Sequence, residues 1–172
     1  GIGMRYQDTF VGLIADVLLE RNIEVLNAAV CSYSPIIYYR KIKYLLDRGL
    51  RFNELVVFID ISDIQDEAIY YEMSESGTVK TQGRVSTKLK ALIKNNSIIA
   101  LYISKIALHI SKQRDLTINY KRSMWTIDES TFYSYGELGL KKADNYMSQL
   151  HDLLRTNSIK LTIAVYPWPD QI

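Results

Sequence analysis

The sequence predicts an α/β domain in three layers, α/β/α, around a mainly parallel sheet. Two observations predict it. Segments with helical apolar spacing alternate with short apolar runs, in the order helix, strand, helix, strand and later helix, strand. The runs themselves lack the in–out alternation of a half-exposed strand, as expected when helices cover both faces of a parallel sheet. A chain of 172 residues holds one domain with a real core, whereas two domains would be crowded.

The first helix starts after Asp8 or Thr9, either of which can cap it. Phe10, Leu13, Ile14, Val17 and Leu18 then share one stripe. Residues 23–30, "IEVLNAAV", read as a buried strand ending in small side chains. Ser34 is placed to cap a second helix with Pro35 in its first position, Tyr38, Ile42 and Leu45 facing inward, and Gly49 at its stop. Residues 55–60, "LVVFID", form the next strand. Near the end, residues 137–156 carry Ala143, Tyr146, Met147, Leu150 and Leu154 on one helical face, and residues 159–167 close the chain as a third buried strand. Residues 67–135 break this rhythm and read as an insertion within the single domain. They comprise a hairpin around Ser76 and Gly77, one long or two shorter apolar helices over 86–113, and an aperiodic surface excursion over 115–136. The segment 97–112 is apolar on more than one side, which marks it as deeply buried or as a contact for a protein partner.

Composition excludes several classes. A formal net charge of +2 without any basic run gives no electrostatic footprint for nucleic acid. The longest apolar stretch, "SIIALYISKIALHI", is shorter than the roughly 20 residues of a membrane span and contains Lys105 and His109. One cysteine excludes an internal disulfide, and two histidines leave little for a zinc site. No signal peptide is visible in a chain that begins "GIGM", so cytoplasmic, periplasmic and secreted placements all fit.

In parallel sheets, ligands bind beyond the carboxyl ends of the strands. Three segments there carry the chemistry: 27–34, 60–66 and 166–171. The middle one, "DISDIQD", has aspartates at 60, 63 and 66. Their spacing of three does not match a calcium loop, which needs alternating acids, a glycine and a distant glutamate. Ile64 stands where an Asp-x-Ser-x-Ser site would have its last serine, and Ser62 stands where an aspartyl-phosphate site would have a second acid. The plainer reading makes Asp60 or Ser62 the cap of a short helix, with Asp63 and Asp66 as solvated acids of its first turn. Cys31 reads as a small packing residue, and His109 and His151 as structural or solvent-facing.

The order of these blocks resembles the SGNH (GDSL-type) hydrolase superfamily, over residues 1–66 and 137–172. In that family Gly-Asp-Ser-x-Thr-x-Gly carries the nucleophilic serine, and "GIGMRYQDTFVGLIADVL" resembles the text that follows it. Asn27-Ala28-Ala29-Val30-Cys31 resembles the family's Asn-x-(Gly/Ala) block, with Ser32 where its oxyanion-hole glycine stands. Asp60-Ile61-Ser62-Asp63 resembles Gly-x-Asn-Asp, with Ser62 in place of the oxyanion asparagine. The closing "VYPWP" resembles the strand before the family's Asp-x-x-His block.

The resemblance implies a flavodoxin-like SGNH fold and a serine esterase or acylhydrolase that needs no metal or organic cofactor. Its substrate would be a small-molecule or carbohydrate ester. Ser32 and Ser62 become the candidate oxyanion-hole positions, with Asn27, Asp60 and Asp63 supporting the rim. The nucleophile would precede Gly1 and the Asp–His pair would follow Ile172, so these 172 residues alone are expected to be inactive. Two other readings stay open: an inactive SGNH-like module that binds a glycan or protein, and a metal-dependent domain using Asp60, Asp63 and Asp66.

Overall fold

A computed structural model describes residues 4–81, 122–165 and 167–168. The chain divides into two compact units, Gly1–Cys31 and Ser32–Ile172.

The first unit holds helix α1, Phe10–Leu19. Thr9 caps it: its hydroxyl oxygen accepts the Gly12 N–H at 3.1 Å. Asn22, at φ 57°, closes its far end, with the Ile23 N–H bonded to Leu18 O. The expected stripe forms but is not buried. Phe10, Leu13, Ile14 and Val17 are exposed, since a unit of this size has too little chain to enclose a full apolar face. The predicted strand over 23–30 is absent too. Among the described residues they join no strand ladder, and an apolar run becomes a strand only when a neighbouring strand pairs with its backbone.

The second unit is mixed α/β. Helix α2, Pro35–Asp47, starts at Ser34 and Pro35 as predicted. It ends with Gly49 at φ 91°, with Gly49 N–H bonded to Leu46 O and Leu50 N–H to Leu45 O. That pair of bonds is a Schellman closure, which needs a left-handed residue. Strand β1, Glu54–Ile59, leads into helix α3, Ile61–Gln65, which continues as a π-helical turn over Asp66–Tyr70. Strands β2, Tyr71–Met73, and β3, Val79–Thr81, form the predicted antiparallel hairpin, with Gly77 at φ 73° in its turn.

Residues 122–136 were expected as an irregular excursion, yet they fold into short helical turns. A 3₁₀ turn over Met124–Thr126 precedes a turn at Glu129–Thr131 and a π-helical turn over Phe132–Gly136. Ser123, Thr131 and Tyr135 are buried there. Turns of mixed pitch have no single period, which hides them from a periodicity reading. The predicted helices over 86–113 lie outside the described residues.

Helix α4 spans Glu137–Thr156 and strand β4 spans Lys160–Val165. β4 pairs in parallel with β1, in register from Glu54↔Lys160 to Ile59↔Val165. α2 and α4 pack over this pair. Ile42, Leu46, Val57, Leu150, Leu154 and Ile159 form the core, and Leu150 and Leu154 have no exposed surface. Along β1, however, burial alternates. Leu55, Val57 and Ile59 pack inward, whereas Val56 and Phe58 remain 48% and 45% exposed. The expectation of a strand covered on both faces therefore holds for one face only. α4 also approaches α3 very closely at Gly139, where an added Cβ would lie 2.2 Å from the Ile64 carbonyl oxygen.

Candidate functional site

The carboxyl end of β1 leads straight into polar chemistry. Asp60 has extended backbone, and its Oδ1 accepts both the Ser62 N–H (2.6 Å) and the Ser62 hydroxyl (2.5 Å). Asp63 reaches back from the third helical position, its Oδ2 accepting the Asp60 N–H at 3.0 Å. The two carboxylates form a capping box, so the helix-cap reading of Asp60 is what the structure shows. Asp63 and Asp66, expected as solvated first-turn acids, are instead 6% and 3% exposed. α3 is buried along its whole length and so is the start of the turn after it, so Asp63 and Asp66 are largely withdrawn from water and need partners inside.

Each buried acid has a different partner. Asp66 pairs with Arg122 at 2.7 Å. Glu67, with no exposed surface, accepts through Oε2 from the Ser34 hydroxyl (2.7 Å) and the Ile36 N–H (3.0 Å). Ser34 starts α2 without capping it through its own side chain. Glu67, 31 residues further on, satisfies the orphan amide at Ile36 and places a carboxylate at the positive end of the helix. Among the described residues, no three acids, histidines or cysteines come together as a metal-binding group.

Asp63 meets Tyr38 of α2. The Tyr38 hydroxyl lies 2.9 Å from Asp63 Oδ2 and 3.0 Å from the Tyr33 carbonyl oxygen. A phenol has one proton and cannot donate to both at once. When Asp63 is ionised, that proton serves the carboxylate. When Asp63 is protonated, the acid can donate to the phenol oxygen, and the phenol then donates to Tyr33. Electrostatics place this choice near neutral pH. Burial pushes the Asp63 carboxyl up to about 7, against hydrogen bonds from the Asp60 N–H and Tyr38 that favour the ionised form. Burial, with the adjacent Asp63 charge, drives the Tyr38 hydroxyl far above its usual value, so it stays a donor. Burial also raises Asp66 and Glu67, opposed by Arg122 in the first case and by the Ile36 and Ser34 bonds in the second.

The predicted site residues are thus placed as follows. Ser32 is exposed and left-handed, at φ 62°, a region that favours glycine. Its carbonyl accepts the Tyr71 hydroxyl at 2.6 Å. Ser62 is 8% exposed with both donors directed at Asp60. Tyr38 bridges the loop at Tyr33 to Asp63, which brings together the segments containing Ser32, Asp60, Ser62 and Asp63. Asn27 belongs to the first unit, where its Oδ1 accepts the Ala29 N–H at 3.0 Å.

Sequence reading missed Tyr38, Glu67, Tyr71, Arg122 and Lys142 as parts of this cluster. One signal was available: four acids within eight residues, directly after an apolar strand, with Ile61, Ile64 and Ala68 interleaved. Apolar residues on several sides of so short a helix point to enclosure rather than to a solvated face. No protein-family model matches the chain, nor does any curated protein or solved structure.

Proposed function

We propose that this chain is part of a serine esterase or acylhydrolase domain of the SGNH type, a three-layer α/β/α fold acting on acyl or acetyl esters of carbohydrate. The observation that carries the reading is the Tyr38 bridge, which holds the Tyr33 loop against Asp63 beyond the end of β1. These are the two loops that the resemblance assigns to the oxyanion hole. Ser32 supports it further, because its φ of 62° is the conformation glycine would adopt at that position.

The chemistry follows from the donors. Acyl transfer needs hydrogen-bond donors aimed where the carbonyl oxygen gains charge, and a backbone N–H serves as well from serine as from glycine. Ser32 supplies that N–H. The Ser62 hydroxyl is directed at Asp60 instead, so its first role is to fix the loop, and it reaches an oxyanion only by turning away. The nucleophile and the acid–base pair belong to the flanking blocks in this reading.

Hydrolysis of p-nitrophenyl acetate by the full-length protein tests it. A measurable rate that collapses in the Ser62→Ala, Ser32→Pro double variant is expected. Full activity in that variant would remove the loops from the mechanism.

One observation favours a non-enzymatic alternative, a glycan- or protein-binding module: both Ser62 donors are engaged within the loop. Absence of ester hydrolysis by the full-length protein, together with saturable binding to an acetylated polysaccharide, would select that reading.

A further inference from the structure

The loop that carries Ser32 is held from the far side of the unit by a relay that begins on α4. Lys142 Nζ donates to the Glu67 carbonyl at 3.1 Å and to the Tyr71 carbonyl at 3.2 Å, pinning the π-helical turn that joins α3 to β2. From that turn two side chains reach back. Glu67 Oε2 accepts from the Ser34 hydroxyl and the Ile36 N–H, and the Tyr71 hydroxyl donates to the Ser32 carbonyl at 2.6 Å. These contacts span 31 to 39 residues of chain, so local propensity does not set them.

They act where the backbone most needs holding. A left-handed conformation costs a non-glycine residue about 1–2 kcal/mol, and an unrestrained Ser32 would relax toward negative φ. Tyr71 holds the carbonyl of Ser32 itself, and Glu67 holds the chain two residues on, at the first turn of α2. With its carbonyl and the chain after it both anchored, Ser32 cannot leave its left-handed conformation by rotation of the following peptide without breaking one of these bonds. Glu67 also has an unusual surplus: it is fully enclosed, yet its Oε1 has no hydrogen-bond partner among the described residues. An idle buried acceptor costs free energy, which the bonds made by the other oxygen offset. Here that oxygen takes both donors of the α2 start.

Resting on the esterase reading above, we propose that Tyr71 and Glu67 are positioning residues that keep the Ser32 N–H in the orientation an oxyanion requires, with Lys142 as their common anchor. Neither side chain needs to touch substrate.

Two measurements test this. The first needs no activity and uses the 172-residue chain. In Tyr71→Phe, the backbone chemical shifts of Ser32 should lose their left-handed signature. In Glu67→Ala, the Ile36 amide should exchange at least about tenfold faster, while Leu150 and Leu154 in α4 keep their protection. Glu67→Gln, which retains an acceptor oxygen, should restore the Ile36 amide. Unchanged Ser32 shifts and Ile36 exchange would overturn the relay. The second uses ester hydrolysis by the full-length protein. Tyr71→Phe should lower kcat by roughly 10- to 100-fold at unchanged KM, since a displaced donor acts on the transition state. Turnover by the wild type with an unaltered kcat in Tyr71→Phe would overturn the positioning role alone. No turnover by the wild type would overturn the esterase reading and the positioning role with it.

Discussion

Replacing Asp63 by asparagine removes one titrating group from the buried cluster while keeping its size and an acceptor oxygen. The folded protein holds this carboxyl near 7, against an ordinary value of 3.8, with burial as the main cause. The native state therefore binds a proton over this window that the unfolded chain has already released. Stability from this group is present in full below about pH 4 and is lost as the pH rises through about 7. Between about pH 5 and about pH 8 the loss amounts to roughly 2–3 kcal/mol, because the fold holds one proton that the unfolded chain has released over the two pH units up to about 7. Burial raises Asp66 and Glu67 as well, so their contributions have the same sign and steepen the wild-type profile. The difference between wild type and Asp63→Asn isolates Asp63. Urea denaturation at several pH values reads it out: the wild-type stability should fall by roughly 2–3 kcal/mol more than that of the variant across the window. Parallel profiles, or a wild type that gains stability as pH rises, would refute the argument that this acid is buried and predominantly protonated below neutrality.

Three other substitutions test the frame around the site. Gly139→Ala would normally help a helix by about 0.5–1 kcal/mol. Here the new Cβ would meet the Ile64 carbonyl oxygen at 2.2 Å, so thermal denaturation should show a net loss of about 1–3 kcal/mol. Arg122→Met strands the Asp66 carboxylate in a buried position and should cost about 3 kcal/mol near neutral pH, less in acid, by the same urea assay. Ser158, at φ 58°, closes α4 where glycine is the usual choice. Ser158→Gly should therefore raise stability by up to about 1 kcal/mol, read as a higher urea midpoint at constant slope.

Much of the second unit was legible in the sequence because its signals are local. α4 carries an apolar face from Ala143 to Leu154, about three turns, α2 has Ser34, Pro35 and Gly49 at its limits, and Gly77 marks the hairpin. The parallel pairing of β1 with β4 followed from helix–strand alternation. The chemistry was less legible because its partners are distant in the chain. Ser34 looked like an ordinary cap, yet its hydroxyl goes to Glu67, 33 residues away. Asp63 and Asp66 looked solvated because acids in a first turn usually are, and only tertiary packing encloses α3. Residues 23–30 looked like a strand because apolar runs do, but a strand depends on a neighbour that sequence does not supply. The caps were legible to within a choice of two, Asp8 or Thr9 and Asp60 or Ser62, since capping depends on the next three residues alone; Thr9 and Asp60 take the role.

The central claim is that the left-handed Ser32 presents its backbone N–H to a developing oxyanion. Comparing p-nitrophenyl acetate hydrolysis by full-length Ser32→Gly and Ser32→Pro tests it most directly. Glycine suits φ 62° and keeps the N–H, so Ser32→Gly should retain the wild-type kcat. Proline removes the N–H and excludes that φ, so Ser32→Pro should lose ~10²–10³ in kcat. Equal rates for the two variants would contradict the claim.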